Sequence, residues 1–161
     1  MRLAMQTDFA LRTLMFLALQ ERRSRVADVA AFYGISAPHV AKVVNSLSRL
    51  GLVRSLRGAG GGIELARPAS KITVGEVILA FEGNLHLLEC VGTPDVCAIQ
   101  RFCPLLGVLA EAERRQVDYL NSVTLADVLP RKPQVKRYLE NRETPARAGR
   151  GPSRRVRATE K

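Results

Sequence analysis

The chain has 161 residues, about one domain and an appendage, and with 47% hydrophobic residues it can bury a core. Aromatic residues make up 5% and Trp is absent, which argues against a large aromatic-lined sugar or cofactor pocket. A net charge of +10 points to a polyanion such as nucleic acid, or to an anionic membrane surface.

Residues 1–21 carry no net charge. Thr7 is a good N-cap for a helix over about 8–21, in which Leu11, Leu14, Met15 and Ala18 have the spacing of one buried face. The apolar run Leu14–Leu19 is far short of the roughly 20 residues that span a bilayer. Asp8 and Arg12 precede it and no small-residue cleavage site follows, so it reads as the first helix of a cytoplasmic protein. Residues 22–71 hold nine Lys and Arg against Asp28 and Glu64. Ser24 opens a short second helix with Val26, Val29 and Ala30 inward, and Gly34 breaks it. Ser36 caps a third helix with Pro38 in its first turn. Val40, Val43, Val44 and Leu47 form the apolar stripe of that helix, and Gly51 ends it. The extended runs Leu52–Leu56 and Ile63–Ala66 flank a glycine-rich turn and predict a β-hairpin, closed by Pro68. Thr73-Val74-Gly75-Glu76 is a capping box for a helix to about Phe81.

Residues 72–130 reverse the balance, with three Arg against eight acids. No period is legible over 83–103. Pro104 starts a helix to about Asn121 with a seam of Leu105, Val108, Leu109, Ala112 and Leu120, and Thr124–Asp127 opens a last short turn. From Arg131 the chain carries eleven Lys and Arg against three Glu and almost no large apolar residues. Such a segment cannot offset its ordering entropy and is expected to be disordered. There is no internal repeat.

Two helices joined by a short Gly-containing turn are the helix-turn-helix pattern, and the following hairpin makes a wing. Ser36, Ala37, Pro38, His39, Lys42 and Asn45 would face outward, small or hydrogen-bonding as major-groove contact requires. Arg49, Arg54, Arg57 and Arg67 are available for phosphates, and Gly60 and Gly61 let the wing backbone approach closely. The expected ligand is double-stranded DNA.

Cys90-x6-Cys97-x5-Cys103 places three thiols within fourteen residues, in a loop before a helix. An odd count argues against a complete disulfide framework. Thiolates favour iron–sulphur clusters, zinc or copper. The Cys-x2-Cys spacing of zinc knuckles is absent, and wider spacing suits a larger object such as a cluster. Three cysteines leave one iron in need of a ligand from elsewhere. Free thiols and a redox disulfide pair stay open on spacing alone. No acid–base constellation, nucleophile motif or phosphate loop is present, and Gly60-Gly61-Gly62 precedes a strand instead of opening a helix, so no enzyme is expected.

Four stretches carry a resemblance. They are the opening Met1-Arg2-Leu3-x3-Thr7-Asp8-Phe9-Ala10-Leu11-Arg12, the stretch Ile35–Val53, the wing Arg57-Gly58-x-Gly60-Gly61-Gly62-Ile63-x-Leu65-Ala66-x-Pro68, and the three-cysteine loop. Together they resemble the family of iron–sulphur winged-helix repressors over about residues 1–130. Thr7–Arg12 and Thr124–Leu129 resemble its nitric-oxide-sensing NsrR branch most. The resemblance implies a mainly α (α+β) fold with a winged helix-turn-helix DNA-binding head over 1–71. A cluster-binding loop and long dimerisation helix would occupy 72–130; the basic tail 131–161, expected from its composition to be disordered, lies outside the resemblance. It implies a cytoplasmic homodimeric repressor on a near-palindromic operator, with nitric oxide as effector. It further implies a 4Fe–4S rather than a 2Fe–2S cluster, held by Cys90, Cys97, Cys103 and Asp8 of the partner subunit, with Arg12 interacting with Asp8. By position alone, Asp8 is an acid in a first helical turn, where the helix dipole favours it. The IscR branch uses a His after the third cysteine. This chain has only His39 and His86; His86, four residues before Cys90, stands open as a ligand but reads first as a loop residue. Two alternatives stand beside this reading: an iron, redox or cluster-supply sensor like RirA or IscR, and a cluster-free DNA-binding protein with a thiol or zinc switch.

Overall fold

The structure, a computed structural model, describes residues 3–58, 60–131 and 133–135. The expected disordered tail lies, from residue 136 on, outside the described residues.

The first helix, α1 (Met5–Gln20), is the centre of the core. Thr7, Ala10, Leu14 and Leu17 are buried along one line, and Thr13, Phe16 and Ala18 widen it. This helix is therefore covered on more than one side, by the third and fourth helices and the second strand. It starts at Met5, ahead of the expected Thr7 cap. Thr7 is fully buried and its hydroxyl donates to Glu82 at the end of the fourth helix. The same carboxylate accepts the Ala4 N–H at 2.8 Å. An acid from another helix thus takes the Ala4 N–H and places a negative charge at the positive dipole end of α1. Glu82→Ala should destabilise the fold by about 1–3 kcal/mol, read by urea denaturation, because both bonds go and the Thr7 hydroxyl stays buried.

α2 (Val26–Tyr33) is capped from within, the Arg25 N–H donating to Asp28 Oδ2 at 2.7 Å. Ser24, expected to open this helix, pairs with the wing instead. Its N–H donates to Ile63 O at 3.0 Å and its carbonyl accepts from Ile63 N–H at 2.8 Å. Gly34 turns the chain at φ 65°, a left-handed angle that costs glycine nothing. α3 (Ala37–Arg49) then buries Val40, Val43, Val44 and Leu47, as its stripe predicts.

The hairpin is antiparallel, β1 (Val53–Leu56) against β2 (Gly62–Leu65), with Val53 opposite Leu65 and Leu56 opposite Gly62. A side-chain carbon placed on Gly62 would lie 2.6 Å from the Ser24 carbonyl oxygen. Gly62→Ala should therefore unseat the Ser24 bridge, and faster amide hydrogen exchange at Ser24 and Ile63 would report it.

After a 3-10 turn at Ala69–Lys71, α4 (Val74–Glu82) begins with half of the expected capping box. Thr73 Oγ1 accepts from Glu76 N–H at 3.1 Å, but the Glu76 carboxylate pairs with Arg67. The last long helix, α5 (Pro104–Ser122), crosses α4 where Gly75 leaves room for no side chain beside Asn121. Its predicted seam divides. Leu109 and Leu120 are half-buried, whereas Leu105, Val108 and Ala112 are exposed. The helix has two apolar sides, which one stripe merges. Its charges staple the outer surface: Glu111 is 2.8 Å from Arg114 and 2.7 Å from Arg115, and Arg114 is 2.9 Å from Asp118. Hydrogen bonds from Arg114 and Arg115 hold the Glu111 carboxyl down at about 2. Because that value is depressed by folding, the contribution is complete above the ordinary carboxylate range and is lost as pH falls toward 2.

Ile72, Val77 and Leu125 join the residues of α1–α3 in one apolar cluster, and Met1–Leu129 forms one compact unit. Among the described residues no helix is long and apolar enough to cross a membrane.

Candidate nucleic-acid interface and cysteine loop

Ser36, Ala37, Pro38, His39, Lys42 and Asn45 are all exposed, along the outer side of α3 opposite its buried stripe, and Arg49 is exposed at its end. Ser36 stands at the N-cap position, yet its hydroxyl meets the His39 ring at Nδ1, 2.8 Å away, instead of the backbone. The Phe9 ring of α1 lies 6.1 Å from the same imidazole. His39 is thus held on two sides while remaining exposed. In the wing, Arg57, Gly58 and Gly60 are exposed and Gly61 is half-buried. A side-chain carbon at Gly61 would come within 2.5 Å of the Leu56 carbonyl oxygen, so the turn needs glycine there.

Between α3 and the wing is a cleft of about 430 Å³, lined by Asn45 and Ala41 on one side and Ser55, Gly58 and Gly61 on the other. Lys42, Arg49 and Arg57 make no ion pair among the described residues, so their charge is available to phosphates. Arg54 is 3.9 Å from Glu64, which compensates part of its charge. Sequence reasoning missed Arg23. Its guanidinium donates to Gly60 O at 2.9 Å and reaches Glu64 at 3.4 Å, bracing the wing turn from the far side of the Ser24 bridge. No local signal marks a contact across 37 residues of chain.

The cysteines occupy the irregular segment before α5. Cys90 sits in a 3-10 turn at Glu89–Val91, Cys97 is exposed, and Cys103 is the N-cap of α5. All three thiols are free. A second 3-10 turn, Gln100–Phe102, leads into the helix. His86 Nδ1 is 2.8 Å from Glu113 Oε2 of α5, and its ring lies against Gly92, where a side-chain carbon would approach Nε2 to 2.0 Å. His86 therefore anchors the segment to the helix.

On α1, the Asp8 carboxylate accepts from Arg12 Nε at 2.8 Å, and the Arg12 guanidinium lies 5.8 Å from the centre of the Tyr33 ring. Burial raises the Tyr33 hydroxyl above its ordinary value, against the opposing pull of Arg12. Among the described residues no three acids, histidines or cysteines are gathered at metal-binding distance, so a single chain brings neither the thiols together nor Asp8 to them. The donor chemistry still fits an iron–sulphur group. Three thiols outside any disulfide share one short loop, and the last of them stands at the N-cap position of a helix whose N-terminus favours negative charge.

An exposed second helix of a helix-turn-helix, a braced glycine wing beside it and free basic residues around both define a winged-helix DNA-binding regulator of transcription. More specifically, the model of the Rrf2 family, described as an iron-dependent transcriptional regulator, matches residues 3–131, and the chain belongs to that family. It is 38% identical over 143 residues to the HTH-type transcriptional regulator NsrR of Halalkalibacterium halodurans, covering 87% of this chain and 98% of that protein. It is 35% identical over 146 residues to the regulator of the same name from Bacillus subtilis, covering 89% and 100%. Among solved structures, T. potens IscR matches with a TM-score of 0.63 at 26% identity, covering 88% of this chain and 90% of that one. The family resemblance carried by the four sequence stretches is borne out.

Proposed function

We propose that the chain is a homodimeric repressor that senses nitric oxide through a 4Fe–4S cluster held by Cys90, Cys97, Cys103 and Asp8 of the partner subunit. The observation that carries this reading is the set of three free thiols on one loop, in a chain whose NsrR-named relatives align over nearly its whole described length. When bound, the cluster supplies iron to which nitric oxide can add. The chain's own residues do the rest. The α3 face from Ser36 to Asn45 reads base edges. Arg49, Arg57 and the wing glycines Gly60 and Gly61 hold the backbone. The roles divide along the chain, with DNA read by 1–71 and the signal received by the cysteine loop of 72–130 together with Asp8 of the partner subunit.

Dimerisation falls to the outer side of α5 and the turn before it. Phe102 is 86% exposed, Leu105 54%, Val108 63% and Tyr119 68%, an apolar surface of the kind a partner helix covers. Two copies joined there would present two reading heads to the two halves of a near-palindromic operator. Arg12 orients the Asp8 carboxylate, and its guanidinium is stacked on α2 through Tyr33. A change at Asp8 therefore reaches the helix-turn-helix, and effector binding biases two arrangements of the head.

The test is an operator gel shift with anaerobically purified protein, with and without nitric oxide. Loss of the shifted band is expected, and unchanged retention would overturn the sensing claim. Lys42→Ala should weaken binding about equally on all sequences and reduce the salt slope by about one. Truncation after Leu129 should also weaken binding and flatten that slope, since the removed segment is strongly basic.

A second reading, in which iron supply is the signal, draws on the description of the family as iron-dependent. Asp8→Ala discriminates. Little change in cluster stability or nitric-oxide response favours iron supply, and loss of both favours the proposed ligand set. Colourless protein after anaerobic iron and sulphide reconstitution would leave only a thiol or zinc switch.

A further inference from the structure

Every one of the three cysteines is hydrogen-bonded, through its backbone, to the same residue. The Gln100 N–H donates to Cys97 O at 3.1 Å, and the Gln100 carbonyl accepts from Cys103 N–H at 3.3 Å. Both bonds are local turns that any residue at this position could make. The side chain adds what the turns cannot. Gln100 Nε2 donates to Cys90 O at 2.8 Å and to Thr93 O at 2.9 Å, while Oε1 accepts from Val96 N–H at 3.1 Å. Both amide protons and the amide oxygen are therefore used, across ten residues of chain in the longest case.

We propose that Gln100 is the positioning residue of the cysteine loop. Its carboxamide fixes the arm bearing Cys90 relative to the arms bearing Cys97 and Cys103 before any ligand arrives. Resting on the cluster reading above, this assigns the loop's shape to one side chain instead of to the iron. The His86–Glu113 pair ties the loop to α5 but touches none of the three cysteine backbones directly. Without Gln100, the backbone hydrogen bonds left to the segment around Cys90 are its own short-range turns, Leu88–Val91, Glu89–Gly92 and Glu89–Thr93, beside its packing against α5 and His86. Fixing the backbone of the loop lowers the ordering cost that ligation would otherwise meet, leaving the thiols themselves to turn inward.

Two variants test it. Gln100→Glu has no donor for the Cys90 and Thr93 carbonyls and sets an anion against both. Gln100→Met keeps the length and makes none of the three bonds. In anaerobic protein, hydrogen exchange of the backbone amides over 89–97 should rise about tenfold in both variants, the scale of one net hydrogen bond. Exchange in α1–α3 should stay as in wild type. After reconstitution with ferrous iron and sulphide, both variants should release iron to a chelator about tenfold faster, as loss of an outer-shell partner typically does. Their visible circular dichroism should also differ in band shape, which a purely structural role would leave unmoved. Wild-type exchange over 89–97 in both variants overturns the proposal. So do loaded variants with wild-type release rates and band shape. If wild-type protein itself takes up no iron, the cluster reading falls, and the exchange measurement alone decides whether Gln100 sets the loop.

Discussion

Replacing Cys103 with serine is expected to leave the anaerobically reconstituted protein without visible iron–thiolate absorbance, with iron retention reduced more than the roughly 10–100-fold typical of outer-shell changes. The substitution is unusually clean. Cys103 is the N-cap of α5, and its side chain makes no capping bond. Serine is among the best N-cap residues, so the helix should start as well or better. A thermal midpoint that does not fall, beside absent colour, would separate loss of a ligand from loss of the fold. Colour and iron content equal to wild type would remove Cys103 from the ligand set. Operator retention measured on the same sample should fall with the iron, because the proposed dimer geometry depends on it.

Leu14→Ala carries the largest expected cost to the fold. Leu14 is 0% exposed in the middle of α1, the helix that α3, α4 and β2 all cover. Removing a fully buried leucine side chain costs about 2–5 kcal/mol, from the lost transfer energy and the cavity left behind. Against a total stability of about 5–15 kcal/mol for an ordinary domain, that is a large share. Urea denaturation should show a lower midpoint with an unchanged slope. Met15→Ala is the internal control, since Met15 is only half-buried beside the same core and should cost clearly less. Equal losses at both positions would contradict the placement of α1.

The helix-turn-helix was legible because each of its parts is local. The stripe of α3, the turn glycine Gly34 and the hairpin glycines declare themselves within a few residues, and the structure keeps them there except Gly62, which opens β2 instead of ending the turn. Sequence and structure differ where a distant partner decides. Thr7 has the side chain of a capping residue, but the helix starts at Met5, and the buried Thr7 hydroxyl donates to Glu82 far along the chain. Ser24 looked like a helix start because no period announces a lone β-bridge to the wing. The α5 seam looked single because helical spacing cannot tell a face turned to α4 from one turned outward. In the candidate site, the three cysteines were visible by type and spacing. The residues that shape their loop were not, because Gln100 and His86 act through pairings across 10 and 27 residues.

Asp8 and Phe9 are neighbours on α1, yet they look to different places. The Asp8 carboxylate is engaged by Arg12, and the Phe9 ring meets His39 at the head of the reading helix. An α-helix is stiff, so a small twist of α1 about its long axis displaces both residues in concert. Tuning at one is pleiotropic for the other. Under the proposed ligand set and reading face, a lineage that shifts its effector threshold through position 8 inherits a slightly altered taste in promoters, and one that drifts to new promoters through position 39 must retune its trigger.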